Sequence, residues 1–142
     1  MIKRLFFNEA FNQALKSDMN FNHGCVVVYR GKIIGKGYNT YINSNCYDKV
    51  SLHAEVSAIN DALKKISAEE LKKCELIVIR VNKIGECLNS KPCCNCTNYI
   101  NKFCIKKVFH SWRSIYSTLD KDLPWHLNLI KMVYTSLASY KI

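Results

Sequence analysis

Apolar residues at steps of three and four predict helices in four parts of the chain. The first helix covers residues 3–17, and the second follows Ser51, which we expect to cap it. The third begins at Pro92, because proline fits the first turn of a helix, and the fourth covers about 122–140. The positions expected to face the core are Phe7, Ala10, Phe11, Ala14 and Leu15; Leu52, Val56, Ile59, Leu63 and Ile66; Cys96, Ile100 and Phe103; and Leu127, Ile130, Val133, Tyr134 and Leu137.

Four short apolar runs between these helices predict strands, at residues 25–29, 33–38, 76–81 and 107–110. A tight turn at 30–32 joins the first two strands into a hairpin. Gly35 and Gly37 would let a neighbouring backbone approach the second strand closely. Because a helix separates the last two strands, we expect them to run parallel through a right-handed crossover.

Length and composition indicate one globular domain spanning residues 1–142, with a core at about 20–115. The apolar run at the start ends at Asn8, which is too early for a signal peptide. No run approaches the roughly 18 apolar residues of a membrane helix, so we expect a soluble cytoplasmic protein with no membrane partner. The formal net charge of +10 favours an anionic partner, either a nucleotide phosphate or a nucleic acid.

Two short motifs carry the candidate chemistry: His53-Ala54-Glu55 and Pro92-Cys93-Cys94-Asn95-Cys96. His53, Cys93 and Cys96 are residue types that bind zinc, and three protein ligands leave a fourth tetrahedral position for water. Glu55 is not needed as a ligand and is placed to carry a proton. An H-x-E motif followed by P-C-x-x-C is the signature of zinc deaminases. The pair therefore predicts a catalytic zinc site.

Cysteines and histidines also occur in structural roles. A closed structural zinc site would need a fourth cysteine, Cys94 or Cys87, and would leave Glu55 without a purpose. A disulfide framework among the eight cysteines would require an export signal, which the sequence lacks. His23 ends the loop that enters the first strand, so it is a candidate for substrate binding as well as for a structural role.

With these motifs in place, the chain resembles the cytidine and deoxycytidylate deaminase superfamily from about Cys25 to Phe109. The resemblance is densest at residues 35–39, 51–55 and 90–96. It implies a three-layer α/β/α sandwich with a five-stranded mixed sheet, with Zn²⁺ held by His53, Cys93 and Cys96 and with Glu55 as the proton shuttle.

The resemblance also implies roles in substrate binding. Asn39 matches the asparagine that contacts the sugar, and Cys25 stands where the family has a small residue lining the base pocket. Trp112 follows the last strand of the domain, where it would either stack on a base or pack on the surface. The family is often oligomeric, so we expect a homo-oligomer, with the C-terminal helix as a candidate interface.

Histidine as the first ligand places the chain nearer the deoxycytidylate, guanine, transfer-RNA adenosine and polynucleotide cytidine deaminases than the free-nucleoside enzymes. The leading hypothesis is hydrolytic deamination of a cytosine nucleotide, dCMP or CMP, with release of ammonia. The first alternative is deamination of a base in transfer RNA or in single-stranded DNA or RNA. The second is a zinc-binding module without turnover.

Overall fold

The computed structural model describes residues 4–42, 50–111 and, as backbone, 129–133. It contains four helices and eight strands within these ranges. In chain order they are α1 (Arg4–Leu15), β1 (Asn22–Tyr29), β2 (Lys32–Tyr38), β3 (Thr40–Tyr41), β4 (Ser51–Leu52), α2 (Ala54–Ala62), α3 (Ala68–Leu71), β5 (Glu75–Val81), β6 (Cys87–Leu88), α4 (Cys94–Lys102), β7 (Lys107–Ser111) and β8 (Leu129–Val133).

The sheet has the strand order β2-β1-β5-β7-β8, with β6 added to the end of β5. Strands β5 and β7 are parallel and are joined through α4, whereas the other pairs are antiparallel. The predicted hairpin, the parallel crossover and the five-stranded mixed sheet are therefore confirmed, and β6 is an addition that the sequence did not indicate.

Helices cover both faces of this sheet. On one face, α1 packs Phe6, Ala10 and Ala14 against alternate residues of β1 and β5. On the other face, α2 and α4 contribute Ile59 and Ile100 to a second core. Successive residues of β1 therefore point into different cores, which explains its uninterrupted apolar run. The predicted three-layer α/β/α sandwich is confirmed.

Glycines on β2 bring α2 close to the sheet. A Cβ added to Gly35 would meet the carbonyl oxygen of Ala58, and one added to Gly37 would meet the backbone nitrogen of Ala58 and the side chain of Ser57. The predicted close approach at these glycines is confirmed, and the neighbouring backbone is that of α2. This contact sets the distance between the sheet and α2, the helix that carries the first motif.

Three details of the first three predicted helices are wrong. Pro92 was expected in the first turn of the third helix, but α4 begins at Cys94 with Cys93 as its N-cap, so Pro92 lies just before the helix. Leu15 was expected in the core but is 55% exposed, while Gln13 is buried and its amide donates to Glu9. Ser51 was expected to cap α2, but it lies in β4 opposite Tyr41, and His53 takes the N-cap position. The start of α2 is therefore set by the pairing of β3 with β4, and the helix propensity of the local sequence does not reveal this pairing.

The helix predicted for about 122–140 is wrong over residues 129–133, which form strand β8 antiparallel to β7. Without β8, strand β7 would leave a row of backbone groups unpaired at the sheet edge, and pairing satisfies them at the expense of helical periodicity. The remainder of the predicted helix and Trp112 lie outside the described residues. Within the described part of the chain, no helix is both long enough and apolar enough to cross a bilayer.

Candidate active site

Both motifs lie at helix starts, as predicted. His53 is the N-cap residue of α2, with extended backbone dihedrals of φ −74° and ψ 152°. Cys93 is the N-cap residue of α4, and its Sγ accepts a hydrogen bond from the backbone nitrogen of Cys96 at 3.4 Å. The unpaired N–H groups at a helix start point towards the N-cap side chain, so the first turn of α4 offers the Cys93 sulfur a hydrogen-bond donor.

The three predicted ligands converge. His53 Nδ1 lies 3.1 Å from Cys96 Sγ and 3.6 Å from Cys93 Sγ. All three donor atoms lie within 4.8 Å of one another. Tetrahedral zinc, with bonds of about 2.0–2.3 Å, separates its ligand atoms by about 3.5 Å. One imidazole nitrogen and two sulfurs at this spacing fit zinc in both chemistry and geometry.

A closed four-ligand site is not formed by the described residues. The metal-binding cluster that they form contains three side chains, and neither Cys94 nor Cys87 is among them. The seven described cysteines are all free thiols, so no disulfide is formed within the described ranges. The fourth side of the cluster remains available to a water or a substrate, as the catalytic interpretation requires.

Burial sets the electrostatics of the cluster. Cys96 is 2% exposed, and burial raises the pKa of its thiol, with further increases from the nearby Glu55 and Cys93. Two thiols and a carboxyl group so close together cannot all ionise without a compensating positive charge. A bound divalent cation supplies that charge, so the donor set itself fits a metal.

Glu55 lies beside this cluster without belonging to it. It is the second residue of α2 and is 4% exposed. Burial raises the pKa of its carboxyl group, partly offset by hydrogen bonds from its own backbone N–H and from Cys96. The carboxyl group lines the same cavity as His53 and Cys93. A carboxyl group in this environment can accept and return a proton close to the metal site.

The cluster opens into a cavity of about 250 Å³. Its lining residues are Met19, Phe21, His23, Asn39, Ser51, His53, Ala54, Glu55, Lys91 and Cys93. Of the residues predicted to bind substrate, His23 and Asn39 are in this lining. Cys25 is fully buried and is not in it. Burial raises the pKa of its thiol, and the nearby Glu55 carboxyl group adds a smaller increase.

Asn39 ties the second strand to the segment before β1. Its Oδ1 accepts from the backbone nitrogen of His23 at 2.8 Å, and its Nδ2 donates to the carbonyl oxygen of Phe21 at 2.5 Å. Its own carbonyl oxygen accepts from the hydroxyl of Ser17 at 2.8 Å. Asn39 thereby holds Phe21 and His23 at one wall of the cavity.

Met19, Phe21, Ser51 and Lys91 line the cavity but were not predicted as site residues. Their positions in the sequence offered one indication of this role, because Phe21 directly precedes β1 and Lys91 directly precedes the second motif. Phe21 is 60% exposed, and the Arg80 guanidinium lies 4.5 Å from the centre of its ring. Only the folded arrangement shows that these side chains share a cavity.

Residues 2–111 match the family described as the cytidine and deoxycytidylate deaminase zinc-binding region. The match includes all three candidate ligands and Glu55. The chain belongs to the cytidine and deoxycytidylate deaminase family. The resemblance inferred from the two motifs is thereby confirmed, and the zinc cofactor follows from the family's zinc-binding region together with the geometry of the cluster.

The proteins that the chain is similar to include tRNA-specific adenosine deaminases by sequence and cytidine and dCMP deaminases by structure. By sequence, the chain is 32% identical over 85 residues to the tRNA-specific adenosine deaminase subunit tad2 of Schizosaccharomyces pombe, covering 60% of this chain and 19% of that protein. It is 42% identical over 59 residues to a tRNA-specific adenosine deaminase of Streptococcus pyogenes, covering 40% of this chain and 35% of that protein. The chain thus spans between a fifth and about a third of the length of these curated relatives.

By structure, the chain is similar to the cytidine deaminase of Burkholderia pseudomallei, with a TM-score of 0.64 and 16% identity over 94% of this chain and 93% of that one. It is also similar to the dCMP deaminase of the cyanophage S-TIM5, with a TM-score of 0.54 and 22% identity over 81% of this chain and 88% of that one. At these identities the likeness shows the fold alone.

Proposed function

We propose that the protein is a zinc-dependent hydrolytic deaminase of a nucleobase. The observation that carries this proposal is the position of Glu55, a buried carboxyl group in the lining of a cavity that ends at the three-ligand zinc site. A structural zinc site has no use for an unliganded carboxyl group at this position. A base deaminase needs a group that moves protons next to the attacked ring carbon.

His53, Cys93 and Cys96 would hold the zinc, which would supply a Lewis acid able to lower the pKa of water towards neutral. Glu55 takes the proton from the attacking water, gives it to the ring nitrogen beside the attacked carbon, and assists departure of the amine. Water and the amino-substituted base are consumed, and ammonia and the oxo-substituted base are formed. The side chains around Glu55 keep the base in place while these proton transfers occur.

The first substrate class is a cytosine nucleotide, dCMP or CMP. A cavity of about 250 Å³ suits one base with its sugar, and Lys91 is the one lysine or arginine in its described lining. A single cation at the rim is appropriate for one phosphate group. Asn39 and His23 form the wall on which the sugar would rest, and Trp112 keeps the substrate-binding role predicted from the sequence. Cys25 is fully buried and outside the described lining, so we assign it no direct contact with the substrate.

A second substrate class is a base in RNA, and two observations favour it. The named sequence relatives at 32% and 42% identity are tRNA-specific adenosine deaminases. The net charge of +10 also supports binding to a polyanion. In this case the target base would leave its stack to enter the cavity, and Phe21, exposed at the rim, would contact a neighbouring base.

A substrate panel tests the proposal. Ammonia release by the zinc-loaded protein would be measured with dCMP, CMP, deoxycytidine, cytidine, guanine, single-stranded DNA and transfer RNA. We expect turnover with at least one of these and the highest kcat/KM with dCMP or CMP. The matched control is the same protein after zinc removal by a chelator, which should release no ammonia. A zinc-loaded protein that is inactive on every substrate would favour the non-catalytic zinc-binding module.

Assembly and location remain predictions from the sequence. We expect a homo-oligomer, which light scattering coupled to size-exclusion chromatography would detect. We expect the protein in the cytoplasmic fraction, which fractionation of the producing cell would check.

A further inference from the structure

A buried hydroxyl pair joins the loop before Cys93 to the sheet. Ser90 is 1% exposed and Ser111 is fully buried. Ser111 ends β7, and β7 is parallel to β5, so the carboxyl ends of both strands lie at the same edge of the sheet. The loop that leads to the second zinc motif runs past this edge.

The hydrogen bonds of the pair are short and reciprocal. Ser90 Oγ donates to the carbonyl oxygen of Val78 at 2.7 Å and accepts from the backbone nitrogen of Ser111 at 2.7 Å. The backbone nitrogen of Ser90 donates to the carbonyl oxygen of Ser111 at 2.8 Å. Ser111 Oγ donates to the carbonyl oxygen of Leu88 at 2.7 Å and accepts from the backbone nitrogen of Arg80 at 3.0 Å. Both hydroxyls therefore bridge the loop and the two parallel strands.

Cys93 depends on its backbone for its position. Its side chain is exposed, so core packing does not hold the sulfur, in contrast to the buried Cys96. From the helix side, Thr97 donates its backbone N–H to the carbonyl oxygen of Cys93 at 2.8 Å and its hydroxyl to that of Pro92 at 3.4 Å. From the sheet side, Pro92 is buried but has no N–H to donate, and the nearest preceding residue that hydrogen-bonds to the strands is Ser90, three residues before Cys93.

We propose that Ser90 is a positioning residue that holds Cys93 at the zinc site by fastening its loop to β5 and β7. This inference rests on the zinc site of the proposed function. Ser90 is not in the cavity lining, so it is not a catalytic residue. Its removal would let the Cys93 sulfur drift from the spacing at which it meets His53 and Cys96, and misplaced support around a metal ligand weakens metal binding.

The test measures zinc release into a chelating dye from purified zinc-loaded protein. Ser90→Ala is expected to release zinc about tenfold faster than the wild type, as is typical when support of a ligand is lost. The matched control is Ser67→Ala, which removes another hydrogen-bonded serine, the cap of α3, without touching either motif. We expect Ser67→Ala to be less stable to denaturant but to release zinc at the wild-type rate.

Two further measurements separate positioning from general destabilisation. With Co²⁺ in place of zinc, Ser90→Ala should show weaker thiolate-to-metal absorption than the wild type, because one sulfur is less firmly bound. Ser90→Thr keeps the hydroxyl and should restore both the release rate and the absorption. If Ser90→Ala does not fold, Ser111→Ala, which removes the bond to Leu88, is expected to release zinc faster than Ser67→Ala.

Equal release rates and equal spectra for Ser90→Ala and Ser67→Ala would overturn the proposal. If the proposed deaminase function is wrong, the wild-type protein will bind zinc but release no ammonia. The zinc-release rates of the variants can still be compared in that case. The two conclusions can therefore be judged separately.

Discussion

Glu55 is the one carboxyl group in the described lining of the cavity. Glu55→Gln keeps the size of the side chain and removes its ability to carry a proton. We expect the variant to fold and to bind zinc as the wild type does, because a neutral amide is easier to bury than a carboxylate. Activity should fall by about 10²- to 10⁴-fold, the usual contribution of a general acid–base group. Ammonia release and zinc content would be measured on the same preparation.

The control for this variant is Glu69→Gln, which removes a highly exposed glutamate of α3 that pairs with Lys72. It should retain full activity. Undiminished turnover by Glu55→Gln would exclude the proposed proton shuttle.

His23 is expected to make the protein less stable in acid. Burial, with a smaller contribution from the positive charge of Arg80, lowers the pKa of His23 to about 4 from its ordinary value near 6.5. Below pH 6.5 the unfolded chain therefore binds a proton at this residue that the folded protein does not. Stability should fall as the pH drops from 6.5 towards 4, by about 1–2 kcal/mol at pH 5 relative to pH 8.

Urea denaturation of the wild type and His23→Gln at several pH values measures this effect. The difference between the two proteins isolates His23, because both carry the same zinc ligands and other titrating groups. Parallel stability curves between pH 8 and pH 5 would show that His23 does not titrate as proposed.

At the residue scale, the two motifs together located the metal site. His53, Cys93 and Cys96 were predicted as one cluster because the pair of motifs is the signature of zinc deaminases, and their donor atoms do lie together. Lys91 and Phe21 were not predicted, because their place in the cavity depends on how a loop and a strand entrance meet in three dimensions. The position of such residues follows from tertiary packing rather than from local pattern.

At the element scale, α2 carries His53 and Glu55, and its backbone packs closely against Gly35 and Gly37 of β2. Gly37→Ala would place a Cβ about 2.5 Å from the backbone nitrogen of Ala58, so the helix must shift. We expect a loss of about 1–3 kcal/mol in the free energy of unfolding, as for other overpacked sites. Zinc content should fall as well, because the shift moves His53 away from the two cysteines. Denaturation and metal analysis would measure the two effects.

Gly31→Asn is the control, since a Cβ at this turn meets nothing within 4 Å and asparagine tolerates its positive φ of 77°. It should cost less stability than Gly37→Ala and leave the zinc content unchanged. The same zinc content in Gly37→Ala and in the wild type would show that the distance between α2 and the sheet does not control metal binding.

Elements whose local signals agree with their burial were predictable, and those that depend on a distant partner were not. Strands were predicted correctly at β1 and β5 because their apolar runs match their burial. A helix was predicted correctly at α4 because a proline precedes it. The two-residue strands β3, β4 and β6 are too short to show an alternating pattern. They form because they pair with another strand, β3 with β4 and β6 with β5. Strand β8 shows the same dependence, since its pairing with β7 decided its conformation.

At the scale of the whole molecule, the net charge of +10 makes salt dependence the measurement that separates the two substrate classes. A mononucleotide brings one phosphate, so log(kcat/KM) for dCMP or CMP should fall with log[salt] with a slope of about −1 or shallower. An RNA held through six phosphates would give about −4, from roughly −0.7 for each contact on a single strand. We expect the shallow slope, and the matched control is cytidine, whose lack of phosphate should make turnover nearly independent of salt. A steep slope with transfer RNA, combined with higher kcat/KM than for dCMP and CMP, would instead establish the RNA base as the substrate, because only a polyanion can engage many of the surface lysines at once.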